Sequence, residues 1–214
     1  MKVSTVKNPV VPVVGLSRKL EITKAAYELI AEKGFEGFRT RPVADAVGIN
    51  SATLHYYFPT KNALIRGVVE HIVADLASST LSKISDRPVL AIDELAFEFD
   101  DVRQRMRDAP SQFIVLTELS IRAWRDPTVA HILEEGDIQW HTYLKDILGR
   151  GVAEGAFRKE LDLNLTASLI IMQIRGLALY VRLDHEKFDT MAEALAVQVI
   201  RGVSVTMRHG QTEG

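Results

Sequence analysis

Apolar side chains recur at steps of three and four along almost the whole chain after Gly15, the spacing of one face of an α-helix. Ile22, Ala25, Ala26, Leu29 and Ile30 form the first such run, which Ser17 as cap and Gly34 as stop bound to a helix over Ser17 to Lys33. Thr40 then caps a short helix with Pro42 as its second residue, where a missing N–H costs nothing, and Gly48 ends it. Ser51 starts another short helix to about Phe58, and Pro59-Thr60 separates it from a long one over Lys61 to Ser82. Further on, Ile92, Leu95, Phe99, Val102 and Met106 place one apolar stripe on a helix that stops at Asp108-Ala109-Pro110. A helix over Ser111 to Arg125 follows, and Asp126-Pro127 is a cap-plus-proline start for the next, which carries Trp140, Tyr143, Leu144, Ile147 and Leu148. Gly155-Ala156-Phe157 reads as a terminator and turn before two closing helices, Leu165 to about Leu183 and Phe188 to about Met207. With no β alternation and no hairpin signal, the pattern predicts an all-α chain of nine helices, three in front and six longer ones behind.

Composition narrows the class. A chain of 214 residues with 47% apolar and 25% charged side chains buries a good core and excludes disordered and collagen-like classes. Zero cysteines removes disulfides, thiolate metal sites and a cysteine nucleophile, and fits a reducing, cytoplasmic setting. The uncharged, apolar-rich stretch Leu163 to Ile174 is too short for a membrane span. Pro9 and Pro12 interrupt the valines of the opening segment, so residues 1–15 read as a flexible tail and not as a secretion signal.

Charge singles out the front. Residues 1–66 hold ten Lys and Arg against five Asp and Glu, whereas residues 67–214 hold sixteen against twenty-three. A basic segment on an acidic body is the asymmetry of a chain that presents one end to a polyanion, although solvated charged faces produce clusters too. Within that segment, Gly48 allows a sharp turn, Ala44 permits close approach, and Val43, Val47, Ile49 and Leu54 face inward at helical spacing. The second short helix then projects Ser51, Ala52, Thr53, His55 and Tyr56, groups able to read base edges or grip phosphates. The same spacing also suits an ordinary helix corner that touches no DNA.

The run from Thr40 to Lys61, TRPVADAVGINSATLHYYFPTK, resembles the DNA-binding signature of the tetracycline-repressor (TetR) family, and the likeness extends from the first helix with its Gly34-Phe35 ending to Leu64. The resemblance implies base contacts from Arg41, Ser51, Ala52, Thr53 and His55, and phosphate contacts from Thr40, Tyr56, Tyr57 and Lys61. Arg41 is suited to bidentate pairing with guanine, and Lys61 to a point-charge contact. Position 55 departs from the family, which usually has tyrosine there; a histidine is donor or acceptor by tautomer. The family's organisation implies a helix-turn-helix domain over 16–64 followed by a helical ligand-binding and dimerisation domain over 65–214.

In the rear helices, Phe99, Met106, Phe113, Trp124, Trp140, Tyr143 and Met172 are either core or the lining of a cavity. Thr117, Ser120 and Arg175 lie in apolar segments, where a polar group must find an internal partner or face a ligand. The resemblance favours a ligand cavity, with these ten residues as candidates and a salt bridge as the other use of Arg175. Apolar positions around most of the circumference of the first closing helix imply a partner surface, so a homodimer through the last two helices is expected. His141 with Asp137 and Glu134 could share one helix face, but a solvated charged face explains that spacing and no metal or other cofactor is assigned. No motif of a serine hydrolase, zinc peptidase or nucleotide-binding loop occurs, and no enzymatic activity is expected. The expectation is a repressor that binds a palindromic operator as a homodimer and leaves it when a small molecule binds. An activator, a ligand-independent DNA binder, and a helical small-molecule-binding protein or enzyme remain as alternatives.

Overall fold

A computed structural model describes residues 13–83, 89–180 and 185–205. It is all-α: among the described residues there are nine helices, α1 (Val13–Gly37), α2 (Thr40–Val47), α3 (Ser51–Tyr57), α4 (Lys61–Lys83), α5 (Ala91–Asp108), α6 (Ser111–Ala123), α7 (Pro127–Ala153), α8 (Leu163–Ala178) and α9 (His185–Val203). Boundaries differ from the expected ones where local chemistry decides otherwise. Helix α1 starts at Val13, so Ser17 lies inside it, and its hydroxyl donates to Glu21 one turn on instead of capping the helix. Val13 to Gly15 are thus helical, whereas the rest of the expected tail lies outside the described residues. Arg39, in extended conformation and with no side-chain cap bond, precedes α2, so Thr40 is its first residue and Pro42 its third. Pro42 is still within the first turn, where no intrahelical donor is needed. Helix α3 starts at Ser51, as the pattern predicts, with Asn50 as its cap. The expected ends at Leu183 and Met207 lie outside the described residues.

Two hydrophobic clusters organise the chain. The rear cluster joins α5, α7, α8 and α9 through residues such as Leu95, Phe99, Leu144, Ile147, Ile170 and Phe188. The front cluster gathers Ile22, Ile30, Phe38, Val43, Leu54 and Phe58 from the first helices with Leu64, Ile65 and Val68 of α4. It does not close on itself: Val115 and Leu119 of α6 and Val129, Ile132 and Leu133 of α7 complete it. Helix α6 is tied to the front by a hydrogen bond as well. At Gly34 the backbone of α1 breaks to φ 71°, a left-handed value that suits glycine. The break frees the next amide, and Phe35 donates its N–H to the Glu118 carboxylate of α6 at 2.9 Å.

The face of α8 opposite Ala167, Ile170, Ile174 and Leu177 is not covered. Leu165, Leu169 and Met172 stand exposed along it at intervals of four and three residues. No helix among the described residues is long and apolar enough to cross a membrane.

Glu118→Ala leaves the Phe35 amide without its acceptor and should lower stability by about 1–2 kcal/mol in urea titration. Glu118→Gln keeps an acceptor and should cost less than half as much; equal losses would show that the negative charge, and not the acceptor, is what Glu118 contributes.

Candidate DNA interface and internal cavity

The turn between α2 and α3 is built by three residues, Gly48, Ile49 and Asn50. Gly48 adopts φ 68°, ψ 35°, the left-handed C-cap that ends α2, and the Ile49 N–H returns to the Ala44 carbonyl at 2.9 Å. Asn50 then accepts from the Thr53 N–H at 2.8 Å and from the Thr53 hydroxyl at 3.0 Å, satisfying a first-turn donor of α3. Val43, Ala44 and Leu54 are buried between the two helices, with Val47 and Ile49 half-buried beside them. With that side fixed inward, Ser51, Ala52, His55 and Tyr56 are exposed on the other, and Thr53 and Tyr57 are half-buried. Tyr56 is 81% exposed and meets Tyr57 edge to face, with ring centroids 5.2 Å apart. Arg41 is exposed on α2 next to half-buried Thr40.

Lys61 is placed differently from the rest. Its ammonium donates to the Phe38 carbonyl at 3.2 Å and lies 4.5 Å from the Phe35 ring centroid and 5.2 Å from that of Phe38. Desolvation, reinforced by Arg39 and Arg122, lowers its pKa. Only one of its three N–H donors is used by this carbonyl.

A second site lies behind. Helices α4 to α8 enclose a cavity of about 760 Å³. Of the residues expected to face a ligand, Phe113, Thr117, Ser120, Trp124, Trp140, Tyr143 and Arg175 line it. Phe99 and Met106 do not, being buried in the rear cluster, and Met172 points outward on the uncovered face of α8. The Ser120 hydroxyl is used within its own helix, donating to the Leu116 carbonyl at 2.8 Å. Arg175 both lines the cavity and pairs with Asp137 of α7. Trp124 stands at the rim, 88% exposed.

The wall also contains charged groups that the sequence pattern did not nominate. Asp101 is buried and receives the Arg105 Nε–H at 2.7 Å. Glu98, 4% exposed, accepts the Trp140 indole N–H at 2.8 Å through Oε1, while its Oε2 has no hydrogen-bond partner. Burial pushes the Glu98 carboxyl upward, opposed by the Trp140 bond and Arg105 and aided by Asp101 and Glu94. Burial, and then the carboxylates of Glu98 and Glu94, push the Tyr143 hydroxyl up as well. A signal did exist: Glu98 and Arg105 recur at the same three-and-four spacing as Leu95 and Val102, charges at positions that the stripe reserves for apolar groups. His141 makes no metal cluster; its Nε2 lies 3.1 Å from the Asn164 carbonyl, and no group of ligating side chains suited to a metal occurs among the described residues.

A short helix held from behind by apolar contacts, capped at both ends of its turn and presenting hydroxyl, imidazole and phenol groups outward, has the build of a helix-turn-helix recognition element. The protein is therefore of the class of DNA-binding transcription regulators. Residues 22–68 match the model for bacterial regulatory proteins of the tetR family, so this segment is a tetR-type DNA-binding domain. The chain is 26% identical over 161 residues to the HTH-type transcriptional repressor KstR2 of Mycobacterium tuberculosis, covering 72% of this chain and 76% of the relative. It is 27% identical over 177 residues to the HTH-type transcriptional regulator CymR of Pseudomonas putida, covering 79% and 82%. Among solved structures, a putative TetR-family regulator from Rhodococcus sp. superposes with a TM-score of 0.77 at 21% identity, over 89% of this chain and all of that one. GusR of Salmonella enterica gives 0.73 at 20% identity, over 92% and 99%.

The buried Glu98 carboxyl predicts a pH signature. Its folded pKa lies above its ordinary value of 4.5, so the folded state holds the proton more tightly than the unfolded chain. This contribution to stability is full at low pH and is lost as pH rises from about 4.5 through the folded value. The groups facing it are Glu94, Asp101 and Arg105 of α5 and Trp140 and Tyr143 of α7. Glu98→Gln should therefore melt above the wild type at about pH 8, with the gap closing toward about pH 4. Melting curves that stay parallel across that range would contradict it.

Proposed function

We propose that the protein is a cytoplasmic, non-enzymatic repressor that binds a palindromic operator as a homodimer and leaves it when a small molecule occupies the rear cavity. In this reading residues 16–64 form the DNA-reading unit and residues 65–214 the ligand-binding and dimerisation unit. The exposed face of α3 carries the proposal, because the apolar contacts behind it leave it available to enter a major groove. Arg41, Ser51, Ala52, Thr53 and His55 contact bases, and Thr40, Tyr56, Tyr57 and Lys61 contact phosphates. Lys61 has donors to spare for a phosphate while staying seated on the Phe38 carbonyl. KstR2, one of the similar proteins, is itself described as a repressor.

Symmetry supplies the second half. The exposed apolar face of α8, together with α9, packs against its copy in a second chain and forms a four-helix bundle. Two α3 helices must then stand about 34 Å apart, or at another separation that suits the helical repeat. Helix α6 connects ligand to spacing: Thr117 and Ser120 face the cavity, whereas Val115 and Leu119 lie in the front cluster and Glu118 holds Phe35. A ligand that displaces α6 carries the front helices with it and shifts the pair out of register. Operator and ligand then weaken each other's binding by the same factor.

Fragments retained from the organism's own genome by the purified protein should contain a palindromic site. On that site, Arg41→Ala and Tyr56→Ala should each weaken binding about tenfold or more, as read by fluorescence anisotropy, without changing dimerisation or melting temperature. Unchanged affinity in both variants would remove these side chains from the interface.

A further inference from the structure

The charges on the cavity wall are unequally matched. Asp101 pairs with Arg105 and Asp137 with Arg175, and nearby Glu94, outside the cavity lining, pairs with Arg150. Glu98 has only the neutral indole N–H of Trp140, and its Oε2 is without a hydrogen-bond partner. An acid this buried, with one oxygen unsatisfied, is costly unless something entering the cavity supplies a donor or a positive charge. Trp140 and Tyr143 line the same wall, and aromatic rings attract cations. The remaining surface is largely apolar, contributed by side chains such as Val73, Leu116, Ile174 and Leu179.

We propose that the effector is an apolar molecule with one amine head, whose ammonium seats on Glu98 between Trp140 and Tyr143 while its hydrocarbon body fills the rest of the cavity. This rests on the effector-binding reading of the cavity given above and adds the chemical class. An ammonium provides both the donor that Oε2 lacks and the counter-charge that the two arginines give to the aspartates. An anionic head meets the Glu98 carboxylate and is excluded, and a neutral alcohol supplies a hydrogen bond without the charge.

A matched set of probes on one hydrocarbon skeleton, naphthylethylamine, naphthylethanol and naphthylacetate, tests this by titration calorimetry on the full chain. The amine should bind about tenfold tighter than the alcohol, and the carboxylate weakest of the three. In Glu98→Gln, which keeps an acceptor for Trp140, the amine and the alcohol should bind within about twofold of each other. The wild-type series decides the matter even if that variant does not fold. Alcohol equal to amine, or carboxylate tightest, overturns the amine assignment and leaves the cavity reading in place. An amine preference that survives in Glu98→Gln overturns the role of Glu98. Binding of none of the three overturns the cavity as an effector site, and the inference with it.

Discussion

Helix α6 belongs to two interiors at once. Val115 and Leu119 are fully buried in the front cluster, Phe113 is in the rear one, and Leu116, Thr117 and Ser120 face the cavity between. The bond from the Phe35 amide to Glu118 fixes this helix to the place where α1 breaks. A directed hydrogen bond to a main-chain amide adds a register constraint to that close packing. The position of the reading helix therefore follows from where α6 sits, and the rest of the arrangement depends on that.

Much of the reading segment was legible in the sequence because its rules are local. Gly48 turns the chain where a positive φ is required, and the inward set of Val43, Ala44 and Leu54 follows from helical spacing. Caps are less legible: Ser17 and Thr40 are plausible caps by residue type, but α1 starts at Val13 and the extended residue before α2 is Arg39. The rear was less legible because spacing gives a face without saying what the face meets. Phe99 and Met106 share a stripe with Val102, yet only Val102 reaches the cavity. Met172 lies on the side of α8 opposite Ile170 and Ile174. Glu98 and Asp101 have the residue type of a solvated helix face, yet both are buried.

The cavity wall is apolar apart from a few polar and charged side chains. Arg105 and Arg175 each hold an aspartate in place, a use of arginine that favours fixed geometry over free charge. Against that background Glu98 has one oxygen satisfied by Trp140 and the other without a hydrogen-bond partner.

The shared interior also limits how recognition can be re-engineered. A chimaera that joins residues up to Leu64 of one regulator to the remainder of another would set Ile22, Ile30 and Leu64 against a foreign patch in place of Val115, Leu119, Val129, Ile132 and Leu133. Transplanting only the outward side chains of α2 and α3 leaves that mosaic of native neighbours undisturbed. The seam that a sequence boundary suggests runs through the middle of a packed core, so the front helices are separable from the rest by face and not by module.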